Sequence, residues 1–100
     1  MNGFENKTAI VTGAGKGIGR ATALDLANRG AKIIAFARTK ADLDQLSNEI
    51  GSTSIVVDLS DTNSARKAMQ SAGTADYLVN CAGTNVLQSV LDMTEDAYEL

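Results

Sequence analysis

The sequence contains no histidine and a single cysteine, Cys81. One thiol excludes a disulfide framework within the chain and a cysteine-rich metal site, and without imidazole metal catalysis has few ligands to draw on. No excess of basic residues is present either. Nine Lys and Arg against twelve Asp and Glu leave a net charge of −3, which gives no electrostatic footprint for nucleic acid. Long apolar runs are also missing. The longest, Ile33 to Ala37, is far short of the roughly twenty residues a membrane span requires. The opening stretch MNGFENK has no apolar segment to serve as a secretory signal. Together these absences predict a cytoplasmic protein with no metal, no membrane partner and no nucleic acid partner.

What is there is ordinary in bulk and ordered in detail. Hydrophobic residues at 44% and charged residues at 21% suit a globular domain, and 100 residues allow one domain at most. Short β-rich runs alternate with helical runs. The strands expected are Thr8 to Thr12, Lys32 to Ala37, Ser54 to Asp58 and Tyr77 to Asn80. Their interiors are apolar without alternation, as happens when helices cover both faces of a sheet. Gly19, Ala23, Leu26 and Ala27 recur at helical spacing, with Gly30 as a stop. Leu43, Leu46 and Ile50 form a second stripe before Gly51, and Thr39 with Asp42 resembles a capping box at its start. Ala65, Ala68, Met69 and Ala72 form a third, after candidate caps Ser60 and Asp61. With right-handed crossovers this pattern predicts an α/β fold, a doubly wound parallel sheet of Rossmann type with strand order 3-2-1-4.

The last residues set an expectation about extent. Thr94 to Leu100 reads as a helix start, a cap candidate followed by acids that the macrodipole favours. No stop signal follows. The expectation is that residues 1–100 form the N-terminal part of a single Rossmann-type domain, cut within a helix that begins near residue 94.

Between the first strand and the first helix lie four glycines, at 13, 15, 17 and 19. The dinucleotide fingerprint G-x-G-x-x-G is absent, because its last position falls on Ile18 when counted from Gly13 and on Arg20 when counted from Gly15. The spacing from Thr12 to Gly19 is instead T-G-x-x-x-G-x-G. A strand, a glycine turn and a helix start form an anion site by construction: Gly17 and Gly19 remove side chains where backbone must approach a pyrophosphate, and the N-terminus of the helix, around Ile18, presents unpaired N–H groups. Lys16, within the turn, reads equally as a solvated lysine and as a cation beside the adenosine phosphates.

The end of the second strand bears on the cofactor. A ribose 2′-hydroxyl is met by a carboxylate about twenty residues beyond the turn, whereas a 2′-phosphate is met by a cation. Here Ala37 occupies the carboxylate position and Arg38 and Thr39 follow. A guanidinium pairs bidentately with phosphate, and Thr39 adds a hydroxyl and a helix-end N–H. NADP(H) is the cofactor expected.

The turn Thr12 to Gly19 resembles the signature of the short-chain dehydrogenase/reductase family, and three later stretches extend the resemblance in order. Asp58-Leu59 matches the place where the family's Asp hydrogen-bonds the adenine amine with help from its neighbour's backbone. Asn80-Cys81-Ala82-Gly83 is similar to the family's N-N-A-G motif, with Cys81 in place of the second Asn. The resemblance implies that Asn80 ties the central sheet together and that Ala82 and Gly83 leave room for the cofactor ribose. Cys81 itself reads as core, since no histidine exists to activate it. More narrowly, TGAGKGIGR, ARTKADLDQL, VVDLSD and LQSVLDMTEDAY look like the L-xylulose/dicarbonyl reductase branch, an NADPH-using group.

The resemblance further implies an oxidoreductase acting on a small sugar-like or dicarbonyl substrate, a carbonyl/alcohol pair, and a homo-oligomer for the complete protein. The family's catalytic Ser and Tyr-x-x-x-Lys are not found: Tyr77 has Cys81 four residues on, and Tyr98 has no residue at that spacing. No catalytic residue is therefore assigned, and these 100 residues are expected to hold cofactor without turnover. The alternatives are a non-catalytic NADP(H)-binding module and a structural protein with a vestigial turn.

Overall fold

The computed structural model describes residues 3–81, and within them strands and helices alternate strictly. They are β1 (Thr8–Thr12), α1 (Gly17–Asn28), β2 (Lys32–Ala37), α2 (Lys40–Ile50), β3 (Thr53–Val56), α3 (Thr62–Ala72) and β4 (Tyr77–Asn80). The apolar strand interiors sort by the period of two. Ala9 and Val11 of β1, with Ile33 and Ala35 of β2, join Ala23 of α1 and Leu43 and Leu46 of α2 in one core layer. Ile10 and Phe36 point the other way, into a layer with Val57, Leu59, Ala65 and Ala68. Two apolar faces on one strand require two helical layers, and the three helices supply them.

All strand pairs are parallel and the order is β3-β2-β1-β4. The chain steps outward from β1 to β3, then crosses back to place β4 on the other side of β1. That reversal makes the carboxyl end of β1 a topological switch point, the place where open α/β sheets bind ligands.

Small residues let α1 lie close to the sheet. Gly19 and Ala23 are its buried residues, while Leu26 and Ala27 pack at the margin of the same layer. Gly51, at φ 69°, ends α2 in the left-handed conformation that glycine adopts without steric cost. Arg20 on α1 pairs with Glu49 on α2, which links the two helices on the solvent side.

Three local expectations need correction. The third strand runs Thr53–Val56 rather than Ser54 to Asp58; Val57 N–H still donates to Ala37 O at 2.9 Å, and beyond it the Asp58 carboxylate accepts from the Ser60 N–H at 3.0 Å as the chain turns. Of the two candidate caps for α3 only Asp61 acts as one, accepting from Asn63 N–H and Ser64 N–H, since Ser60 is engaged with Asp58. The capping box at α2 does not form: Thr39 is the N-cap residue but its side chain makes no cap bond. The Asp42 carboxylate faces Lys16 instead, at 3.9 Å. The helix start expected near residue 94, with Ala82 and Gly83, lies outside the described residues.

Candidate functional site

A cleft of about 400 Å³ opens at the carboxyl ends of β1, β2 and β3. Gly13, Gly15 and Lys16 line it from the β1–α1 turn, Ala37, Arg38, Thr39 and Asp42 from the β2–α2 junction, and residues 57–60 from the segment after β3. Seven residues singled out in the sequence therefore meet in one place: Gly13, Gly15, Lys16, Arg38, Thr39, Asp58 and Leu59. They converge because parallel strands deliver all their carboxyl ends to one edge. Two other grooves, about 580 Å³ between α1 and α2 and about 540 Å³ beside β3 and α3, are more open.

The turn itself is tied to the neighbouring strand. Ala14 N–H donates to Phe36 O at 3.0 Å, fastening the turn to β2. Gly13 and Gly17 have φ of 64° and 59°, conformations that L side chains rarely adopt. Space around Gly17 is open, with nothing within 4 Å of where a Cβ would stand. Gly19 has a different reason to be glycine. A Cβ there would fall 2.0 Å from Gly13 O, so helix and turn approach too closely at this position for any side chain. Ile18 between them is 80% exposed.

The helix ends differ in how they are satisfied. Asp61 caps α3, but no side chain caps α1 or α2. Among the described residues the N–H groups of Gly17, Ile18 and Gly19 have no backbone acceptor. Unpaired N–H groups at a helix start, beside a glycine turn, suit an anion.

Charge in the cleft comes from three sides. Lys16 is 81% exposed and only loosely paired with Asp42. Arg38 is exposed at the mouth, and its guanidinium contributes to holding the Asp58 carboxyl below the usual carboxylate range. The larger causes of that shift are the two hydrogen bonds from Ser60, its hydroxyl at 2.6 Å and its N–H at 3.0 Å, both to Asp58 Oδ1. Hydrogen bonds to the ionised form favour it. Asp58 Oδ2 has no hydrogen-bond partner among the described residues.

Across the switch point, Asn80 ends β4 beside the turn. Its Oδ1 accepts from Thr12 Oγ1 at 2.9 Å, and the same hydroxyl accepts from Cys81 N–H at 3.0 Å. Thr12 is fully buried and so locks the ends of β1 and β4 together. Sequence reasoning missed this role, and it missed Asp42 and Ser60 as members of the cleft. The signal for Thr12 was a hydroxyl at the end of an otherwise apolar strand. For Ser60 it was its spacing of two from Asp58, a pattern in which an Asp carboxylate bonds backbone two residues on. Among the described residues, no cluster of His, Cys, Asp and Glu could hold a metal ion, and no helix is long and apolar enough to cross a membrane.

Comparison with known proteins gives the geometry a context. Residues 7–100 match the family model described as short chain dehydrogenase. L-xylulose reductase of Mesocricetus auratus is 44% identical over 99 residues, covering 98% of this chain and 41% of that protein. Carbonyl reductase [NADPH] 2 of Sus scrofa is 41% identical over 97 residues, covering 96% of this chain and 40% of that protein. The chain thus spans about two-fifths of the length of these curated relatives. The solved structure of L-sorbose reductase from Gluconobacter frateurii, complexed with NADPH and L-sorbose, superposes with a TM-score of 0.73 at 34% identity, covering 82% of this chain and 35% of that one.

Proposed function

The chain belongs to the short-chain dehydrogenase/reductase family, and on that premise we propose that its cleft binds NADP(H) for an oxidoreductase that interconverts a carbonyl and an alcohol. The observation that carries the cofactor choice is the junction of β2 and α2. Ala37 offers no carboxylate for a ribose 2′-hydroxyl, while Arg38 and the uncapped Thr39 stand at the mouth of the cleft. A 2′-phosphate there meets a guanidinium, a hydroxyl and a helix start. A charge-assisted bond of this kind contributes about 1.5–3 kcal/mol, with the lower end apt for an exposed arginine screened by water.

The remaining site residues divide the cofactor between them. Gly13, Gly15, Gly17, Ile18 and Gly19 bring backbone to the pyrophosphate, with unpaired N–H groups at Gly17, Ile18 and Gly19. Lys16 adds a cation beside the adenosine phosphates, and Asp58 with Leu59 faces the adenine. Asn80, held by Thr12, fixes the strand end, and the family resemblance assigns room for the ribose to Ala82 and Gly83. A bound reduced nicotinamide supplies hydride to a carbonyl carbon. The relatives named as L-xylulose and carbonyl reductases support a small sugar-like or dicarbonyl substrate.

The test is a fluorescence titration with NADPH and with NADH. The proposal expects NADPH to bind more tightly, and expects Arg38→Ala to weaken NADPH about ten- to a hundredfold while leaving NADH nearly unchanged. Equal loss for both dinucleotides removes the 2′-phosphate from Arg38.

A further inference from the structure

We propose that Ser60 is a positioning residue that fixes the Asp58 carboxylate so that its unoccupied oxygen selects a purine bearing a 6-amino group over one bearing a 6-oxo group. The proposal rests on the reading of the cleft as a dinucleotide site and concerns how its base end discriminates. Asp58 sits exposed on an irregular segment that lines the cleft. A carboxylate in that position would rotate freely and present either oxygen. Ser60 prevents it. Its hydroxyl and its N–H both donate to Oδ1, at 2.6 and 3.0 Å, while Asp61 N–H donates to the Asp58 carbonyl at 3.1 Å.

Two donors on one oxygen saturate it and leave Oδ2 as the acceptor without a partner among the described residues. Asp61 in turn caps α3 through Asn63 N–H and Ser64 N–H, so the segment that aims Asp58 is anchored to a helix rather than to a loose loop. An ionised carboxylate only accepts hydrogen bonds. It therefore attracts the exocyclic amine of adenine and repels the carbonyl oxygen that hypoxanthine carries in its place. A site built to accept from an amine rejects the analogue lacking it, and the rejection grows with how firmly the acceptor is held. Discrimination is the readout that positioning controls, since a loose carboxylate can turn away from the oxo group.

The experiment titrates the chain with NADPH and with its hypoxanthine counterpart, reduced nicotinamide hypoxanthine dinucleotide phosphate. Wild type is expected to prefer NADPH. Ser60→Ala is expected to cut that preference about three- to tenfold, mainly by improving relative binding of the hypoxanthine form, whereas Ser60→Thr, which keeps the hydroxyl, restores it. In an Asp58→Ala background, Ser60→Ala should change nothing further, as expected for a residue that acts only through Asp58. A preference that survives Ser60→Ala, an equal loss for both dinucleotides, or an effect that persists without Asp58 each overturns the Ser60 role alone. Wild type that binds neither dinucleotide overturns the cleft reading and this role with it.

Discussion

Two glycines two residues apart illustrate how much a single position can separate. Gly19 faces the Gly13 carbonyl at a distance no Cβ tolerates, whereas Gly17 faces open space in a left-handed conformation. Gly19→Ala should therefore cost about 3 kcal/mol or more through overpacking against backbone, read as a lowered midpoint in chemical denaturation. Gly17→Ala should cost about 1–2 kcal/mol, the conformational penalty alone. Gly17→Leu should abolish binding of both NADPH and NADH by filling the space the pyrophosphate needs.

The pH dependence of stability and of binding is set at this scale too. The Asp58 carboxyl is held below its ordinary value. Its contribution to folding is then fully present above the unfolded pKa of about 3.9 and lost as pH falls through the lower folded value. Between pH 5 and 8 it stays ionised, so NADH affinity should be flat. NADPH affinity should rise with pH through about 6, where a phosphomonoester gives up its second proton, and Arg38→Ala should flatten that rise.

Among the elements, the helix starts carry the division of labour. Asp61 caps α3, a structural end, and Asp61→Ala should lose about 0.5–2 kcal/mol of stability. Thr39 makes no cap bond, so Thr39→Ala should leave stability nearly unchanged while weakening NADPH more than NADH. The contrast between these two variants, measured by denaturation and by titration, distinguishes a capped helix from one whose end is reserved for a ligand. The elements themselves were legible in advance because strand interiors such as Ile33 to Ala37 leave no polar face, which forces helices onto both sides and a parallel sheet. What was not legible was local competition for short polar side chains. Asp42 could reach its own helix start or Lys16, and Ser60 could cap α3 or bind Asp58. Sequence spacing permits both outcomes in each case, and only the relative placement of turn and helix decides between them. Thr12 escaped notice for a related reason, since its partner Asn80 is brought beside it by the β1–β4 pairing.

For the whole molecule, the parallel sheet gathers the ends of separate strands into one edge, and the reversal beside β1 opens the space between them. A ligand held there bridges β1, β2 and β3 with their helices, so binding should stabilise the entire described fold. At NADPH one hundredfold above its dissociation constant the gain is about 2.7 kcal/mol, and NADH at the same concentration should give less. The most direct measurement is an amide map: the 15N-labelled chain titrated with NADPH and followed by heteronuclear NMR. The account predicts that the largest shifts fall on residues 13–19, 38–39 and 58–60, with the amides of Gly17 and Ile18 foremost. Shifts confined to the groove between α1 and α2, around Leu24 and Ile50, with the glycine turn unmoved, would contradict it.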